Sequence, residues 1–88
     1  MAAARRALSE GQATRALALL EQHARDHAAG QMAEDRAALK SRALCAAGRN
    51  TAARKAATAF LAAHPRSAHR ARVQATLELA TKENCPAR

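Results

Sequence analysis

The stretch from Gly48 to Ser67, GRNTAARKAATAFLAAHPRS, restricts the fold more than any other part of this sequence. It opens on a residue that tolerates left-handed backbone, so Gly48 can end a helix. Asn50 or Thr51 follows, and either can accept a backbone N–H bond at the start of the next helix. Ala53, Ala56, Ala57, Phe60 and Leu61 then share one side at three- and four-residue spacing. Pro65 stops that helix, and Ser67 is placed to cap another. A turn, a helix with a face of small residues and a stop describe helix packed closely on helix.

The rest of the chain agrees. Alanine, the strongest helix former, supplies 28 of the 88 residues, and Ile, Trp and Tyr are absent. The fold class predicted is all-α, in one domain over residues 1–82 with a flexible tail over 83–88. Helices are expected over 1–10, 12–28, 33–47, 50–63 and 67–82, broken at Gly11, at Ala29-Gly30 and at Gly48. Their inward residues are Ala4, Ala7 and Leu8; Ala13, Ala16, Leu17, Leu20 and Ala24; Ala37, Leu39, Ala43, Leu44 and Ala47; and Val73, Leu77 and Ala80. Glu21–Arg25 and Glu78–Lys82 are spaced as outward i,i+4 pairs, and Glu34 and Asp35 suit the positive end of the third helix. Short connections make successive helices antiparallel neighbours. An alanine-rich core grows slowly in buried area, which leaves a face for a partner or a second copy.

The pattern also repeats. Gly11, four residues, then Ala16 recurs as Gly48, four residues, then Ala53, 37 residues later. Helix–turn–helix units at this spacing point to a solenoid. Gly48, Ala53 and Pro65 resemble in spacing the glycine, alanine and proline of the tetratricopeptide repeat, with Phe60 or Leu61 at its later apolar site. The stretch is also similar to short repeat tails of myxobacterial envelope and regulatory proteins. The likeness covers residues 34–67 well and residues 1–33 loosely; Ala37, Lys40 and Ser41 stand where the family has an aromatic, a leucine and a glycine. It implies a right-handed array of antiparallel helix pairs with a C-terminal capping helix, and a bacterial protein, cytoplasmic or periplasmic. Its usual role is protein docking in a groove lined by the first helix of each pair. Aligned on Gly48, that groove takes Arg5 and Ser9, then Asp35, Ala38, Arg42 and Cys45, then His69, Arg72 and Thr76. The partner-binding residues expected are Arg5, Arg42, His69, Arg72 and Thr76, with Arg42 and Arg72 receiving a carboxylate.

Such a groove is basic because the charge is uneven. The net charge is +8, and residues 36–77 hold nine basic side chains and no acid. A cationic middle favours anionic partners. Nucleic acid is the lesser expectation, since Phe60 is the only aromatic for base stacking and periodicity puts it in the core. No stretch reaches the roughly 18 consecutive apolar residues of a transmembrane helix, so membrane insertion is not expected. Met1 to Leu8 has no apolar segment of signal-peptide length.

Cys45 and Cys85 are the only cysteines. The third and fifth helices are expected to run parallel, because the fourth lies between them and reverses direction, so both cysteines fall at one end of the domain, where a disulfide is geometrically possible. The simpler reading, and the one the sequence favours, is a buried Cys45 and a free Cys85 in a mobile tail. His23 and His27 have an i,i+4 spacing that can share a metal, but a third ligand is missing, so no metal and no cofactor is expected. His64 and His69 read as loop residues. No nucleophile–base set and no glycine-rich phosphate loop is present, so the function expected is non-enzymatic docking or oligomerisation. The alternatives are a phosphate- or nucleic-acid-binding helical module and the periplasmic regulatory tail of a larger envelope protein.

Overall fold

In the computed structural model, which describes residues 1–27 and 32–86, the described residues form five helices and no strand. These are α1 (Ala2–Ser9), α2 (Ala13–Asp26), α3 (Ala33–Ala46), α4 (Asn50–Ala63) and α5 (Arg70–Thr81). The all-helical prediction holds. The stop expected at Ala29-Gly30, the predicted last helical residue Ala28 and the end of the tail lie outside the described residues. The fifth helix starts three residues later than expected. Ser67 is the reason: its hydroxyl accepts the His69 N–H at 3.0 Å and its carbonyl accepts the Arg70 N–H at 3.1 Å, so it closes a turn before the helix.

Gly48 does what its position requires, with φ at 78°. Its N–H donates to the Cys45 carbonyl and the Arg49 N–H to that of Leu44, at 2.9 and 3.0 Å. Together these bonds make a Schellman end to α3. Gly11, with φ at 76°, ends α1 the same way, through Gly11 to Leu8 and Gln12 to Ala7. The motif recurs after α5 without glycine. Glu83 takes φ at 56°, its N–H donates to Ala80, and the Asn84 N–H donates to Leu79 at 2.8 Å. The side-chain caps expected of Asn50 or Thr51 are not made. Asn50 instead accepts the Cys85 N–H on Oδ1 at 3.0 Å.

Each helix packs on its sequence neighbours, and α3 also touches both α1 and α5. That places α1, α3 and α5 in one layer and α2 and α4 in the other. The molecule is 17 Å across its thinnest direction, as two layers about 8–10 Å apart require. Alanine sets that distance: Ala16, Ala43, Ala53 and Ala57 have no exposed surface. The buried side chains fall into three groups among the described residues, and α3 contributes to all of them. Leu39 and Ala43 join Ala4, Ala7, Ala16 and Leu20; Ala38 joins Ala57, Phe60 and Val73; Leu44 and Cys45 join Ala53 and Ala80. A helix enclosed on several sides has no single inward stripe, and so α3 buries Ala38, Ser41 and Cys45 besides the predicted Leu39, Ala43 and Leu44, and leaves the predicted Ala37 and Ala47 only half-buried. Ser41 is tolerated at 0% exposure because its hydroxyl donates to the Ala38 carbonyl at 2.8 Å.

The two outward pairs, Glu21–Arg25 and Glu78–Lys82, are not formed. Arg25 donates to Gln22 Oε1 at 2.9 Å, and Gln22 in turn donates to both Asp26 oxygens. Exposed pairs of this kind contribute only a few tenths of a kcal/mol, so a neighbouring amide competes on equal terms.

The cysteines depart from the favoured expectation. Cys45 and Cys85 form a disulfide, with Cα atoms 4.9 Å apart and a separation of 40 positions in sequence. The turn at Glu83 folds the chain back beneath α5, and Cys85 is buried beside Leu44, Ala53 and Ala80 instead of lying in a solvated tail.

Candidate functional site

The first turn of α3 carries Glu34 and Asp35, whose charges suit its positive end. Both also reach the segment that enters α5. Asp35 Oδ1 accepts from His69 Nε2 at 2.5 Å. Glu34 accepts from the Ser67 hydroxyl on Oε2 at 2.6 Å, and its Oε1 lies 3.3 Å from His64 Nδ1. These contacts hold the start of α3 against the start of α5, while the disulfide joins their ends. The two helices therefore run parallel and are fastened twice. His64 and His69, expected as plain loop residues, are part of the fastening. Sequence proximity gives no hint of it, because each partner is thirty or more positions away.

Between the fastenings, α3 and α5 present one arginine each. Arg42 from α3 and Arg72 from α5 meet Arg5 from α1 around a cleft of about 350 Å3. Leu8, Ser9, Ala38, Leu39 and His69 complete its lining, and among the described residues no carboxylate contributes. The Ser9 hydroxyl is turned to the Arg6 carbonyl, at 2.9 Å. Among the described residues none of the three guanidiniums has a salt bridge or a side-chain hydrogen bond. Burial, then the charges of Arg72 and Arg5, hold the Arg42 guanidinium below its ordinary pKa. The site is thus crowded with like charge and open to an anion.

Four of the five residues expected to meet a partner, Arg5, Arg42, His69 and Arg72, come together here. Thr76 does not. It is buried, with its hydroxyl donating to the Arg72 carbonyl at 3.1 Å. One turn beyond Arg72, it lies outside the lining of the cleft. Cys45, another expected groove position, is in that disulfide. Leu8 and Leu39, read as core, line the cleft as well.

The cationic run over residues 36–77 does not form one surface. Arg36 turns away to donate to His23 Nδ1 at 3.1 Å, and Arg49, Arg54, Lys55, Arg66 and Arg70 are exposed outside the cleft lining. Phe60 is buried against His64 and has no face for a base. The His23 and His27 rings lie 4.8 Å apart, and the described residues contain no group of three or more His, Cys, Asp or Glu able to hold a metal ion. The Ser67–Glu34–His64 set is not arranged for nucleophilic attack: the carboxylate lies between hydroxyl and imidazole, so the histidine has no contact with the serine proton. No helix of the described residues is long and apolar enough to cross a membrane.

No family model, no curated protein and no solved structure matches this chain.

Proposed function

We propose that this protein is a non-enzymatic docking module, a tetratricopeptide-like array of antiparallel helix pairs, that receives an acidic segment of a partner protein in the cleft between α1, α3 and α5. The observation that carries this reading is the convergence of three arginines on one concavity that no carboxylate of the described residues lines. Arginines serving solubility alone are better spread over the surface, where water screens each from the next. Holding Arg42 half-buried between Arg5 and Arg72 costs stability, and an incoming anion removes that cost. The layering supports the same reading, since the helices lining the cleft are the first, third and fifth, in one layer.

The test is fluorescence anisotropy with a labelled glutamate-rich peptide. The double variant Arg42→Glu, Arg72→Glu is expected to lose at least about tenfold in affinity, because each charge-assisted bond contributes roughly 1.5–3 kcal/mol. A control with the same change in net charge, Arg54→Glu with Arg66→Glu, is expected to lose about threefold or less, as screened distant charges do. Equal losses in the two variants would reduce the binding to net charge and overturn the reading.

A further inference from the structure

Resting on the docking reading of the cleft, we propose that the anion it accommodates is a phosphoryl monoester carried on a partner's side chain, a phosphoserine or phosphothreonine, in preference to a bare carboxylate. Charge decides first. Three guanidiniums face the cleft and the one acidic side chain nearby, Asp35, is already engaged by His69. A carboxylate brings one charge and two oxygens. A phosphate monoester brings about −1.5 to −2 at neutral pH and three strong acceptor oxygens, enough for one guanidinium each. Arginine is also the side chain whose planar fork matches phosphate geometry.

Shape decides next. The cleft, about 350 Å3, is a single concavity with Ala38, Leu39 and Leu8 among its lining. Those apolar surfaces suit the carbon atoms of the residue that carries the phosphate, which a free phosphate ion lacks. A nucleic-acid backbone fits poorly for the opposite reason. Its diester phosphates carry one charge each and recur along the strand, whereas the remaining cations among the described residues stand outside the cleft and the one phenylalanine is buried.

The experiment is an amide-resolved NMR titration of the full, oxidised chain with three probes in turn: N-acetyl-phosphoserine-N-methylamide, the corresponding aspartate amide, and inorganic phosphate. The phosphoserine amide is expected to bind at least about tenfold more tightly than the aspartate amide, the worth of one further charge-assisted bond. It should also bind several-fold more tightly than inorganic phosphate, with shifts centred on Ser9, Ala38, Arg42 and Arg72. Arg42→Gln should abolish the difference between the phosphoserine and aspartate amides. Arg5→Gln, on an exposed face of α1, repeats the test without touching α3. Equal affinity for those two amides overturns the inference while leaving docking of acidic segments intact, because the glutamate-rich peptide reads that separately. Inorganic phosphate binding as tightly as the phosphoserine amide overturns the partner-borne assignment, and failure of both the peptide and the amides removes the two readings together.

Discussion

Arg42 sits in surroundings that oppose its own charge, half-buried on α3 between Arg72 and Arg5. Like charges held together at a partly solvated site destabilise by a few tenths to about 1 kcal/mol. Arg42→Gln, which keeps part of the stem, is expected to raise stability by about 0.5 kcal/mol, or roughly 2–4 °C in Tm. Added salt should stabilise the parent chain more than the variant. A lower Tm for the variant would mean that the packed stem outweighs the repulsion. His23 presents the converse case. Arg36 can only donate, so His23 Nδ1 must accept and carry no proton. Partial burial, the N-terminal amine, His27 and Arg36 together lower its pKa below 6.5. As pH falls through 6.5 the unfolded chain takes up this proton first, so folding loses stability from there down to the native value, and the loss is constant below it. A ring-proton NMR titration is expected to place His23 below 6.5, and Arg36→Ala should move it upward; a midpoint at or above 6.5 in the parent chain contradicts the contact. The two residues differ in how far the sequence reaches them. The resemblance, aligned on Gly48, puts Arg42 and Arg72 in the groove that Arg5 also lines. Nothing local brings Arg36 to His23, thirteen positions away across a helix break.

At the scale of elements, helix ends carry more information than helix middles. Gly11 and Gly48 are legible because glycine is the residue that takes positive φ without steric cost. The third turn of the same kind is hidden, because Glu83 occupies the position at φ of 56°. Two substitutions separate cost from benefit. Gly48→Ala should destabilise by roughly 1–2 kcal/mol, the penalty of left-handed backbone with a Cβ. Glu83→Gly should stabilise by about 0.5–1 kcal/mol, since the relief exceeds the extra entropy of the unfolded chain. Chemical denaturation of both variants checks this, and a destabilised Glu83→Gly would show that the glutamate side chain contributes something beyond the turn. The middle of α3 illustrates the other limit. Periodicity finds one face, but α3 is covered by α1, α2, α4 and α5, so Ala38, Ser41 and Cys45 are buried without belonging to the predicted stripe. Glu34 and Asp35 are read from sequence as dipole partners, which explains their place on the helix and misses that Ser67, His64 and His69 close on them.

For the whole molecule, the hidden turn and the disulfide are one feature. A fifth helix continued past Thr81 would carry Cys85 away from Cys45. The left-handed Glu83 reverses the chain, and Asn50 on α4 fixes the Cys85 backbone where it returns. A sequence reading that sees no turn at Glu83 leaves Cys85 in a tail, and so the bridge is the part of the architecture least accessible to it. Its energetic weight is large for a chain of this size. Closing a loop of 40 residues contributes about 4 kcal/mol in the chain-entropy model. A domain of 88 residues is stable by only about 4–13 kcal/mol in total, and an alanine core belongs toward the lower end. Reduction, or the double variant Cys45→Ser, Cys85→Ser, is therefore expected to lower Tm by roughly 15–30 °C. Peptide affinity measured below the lowered Tm should fall as well, because the spacing of Arg42 and Arg72 then rests on side-chain packing and on the Glu34 and Asp35 contacts at the far end, with no covalent tie between α3 and α5. Paired thermal melts with and without reductant, with thiol titration on the same samples, test this. A melt that shifts by no more than about 3 °C would mean that Ala80 packing and the Asn50 bond already fix the segment. A large shift would make the cleft a site that persists only where oxidising conditions keep the bridge closed.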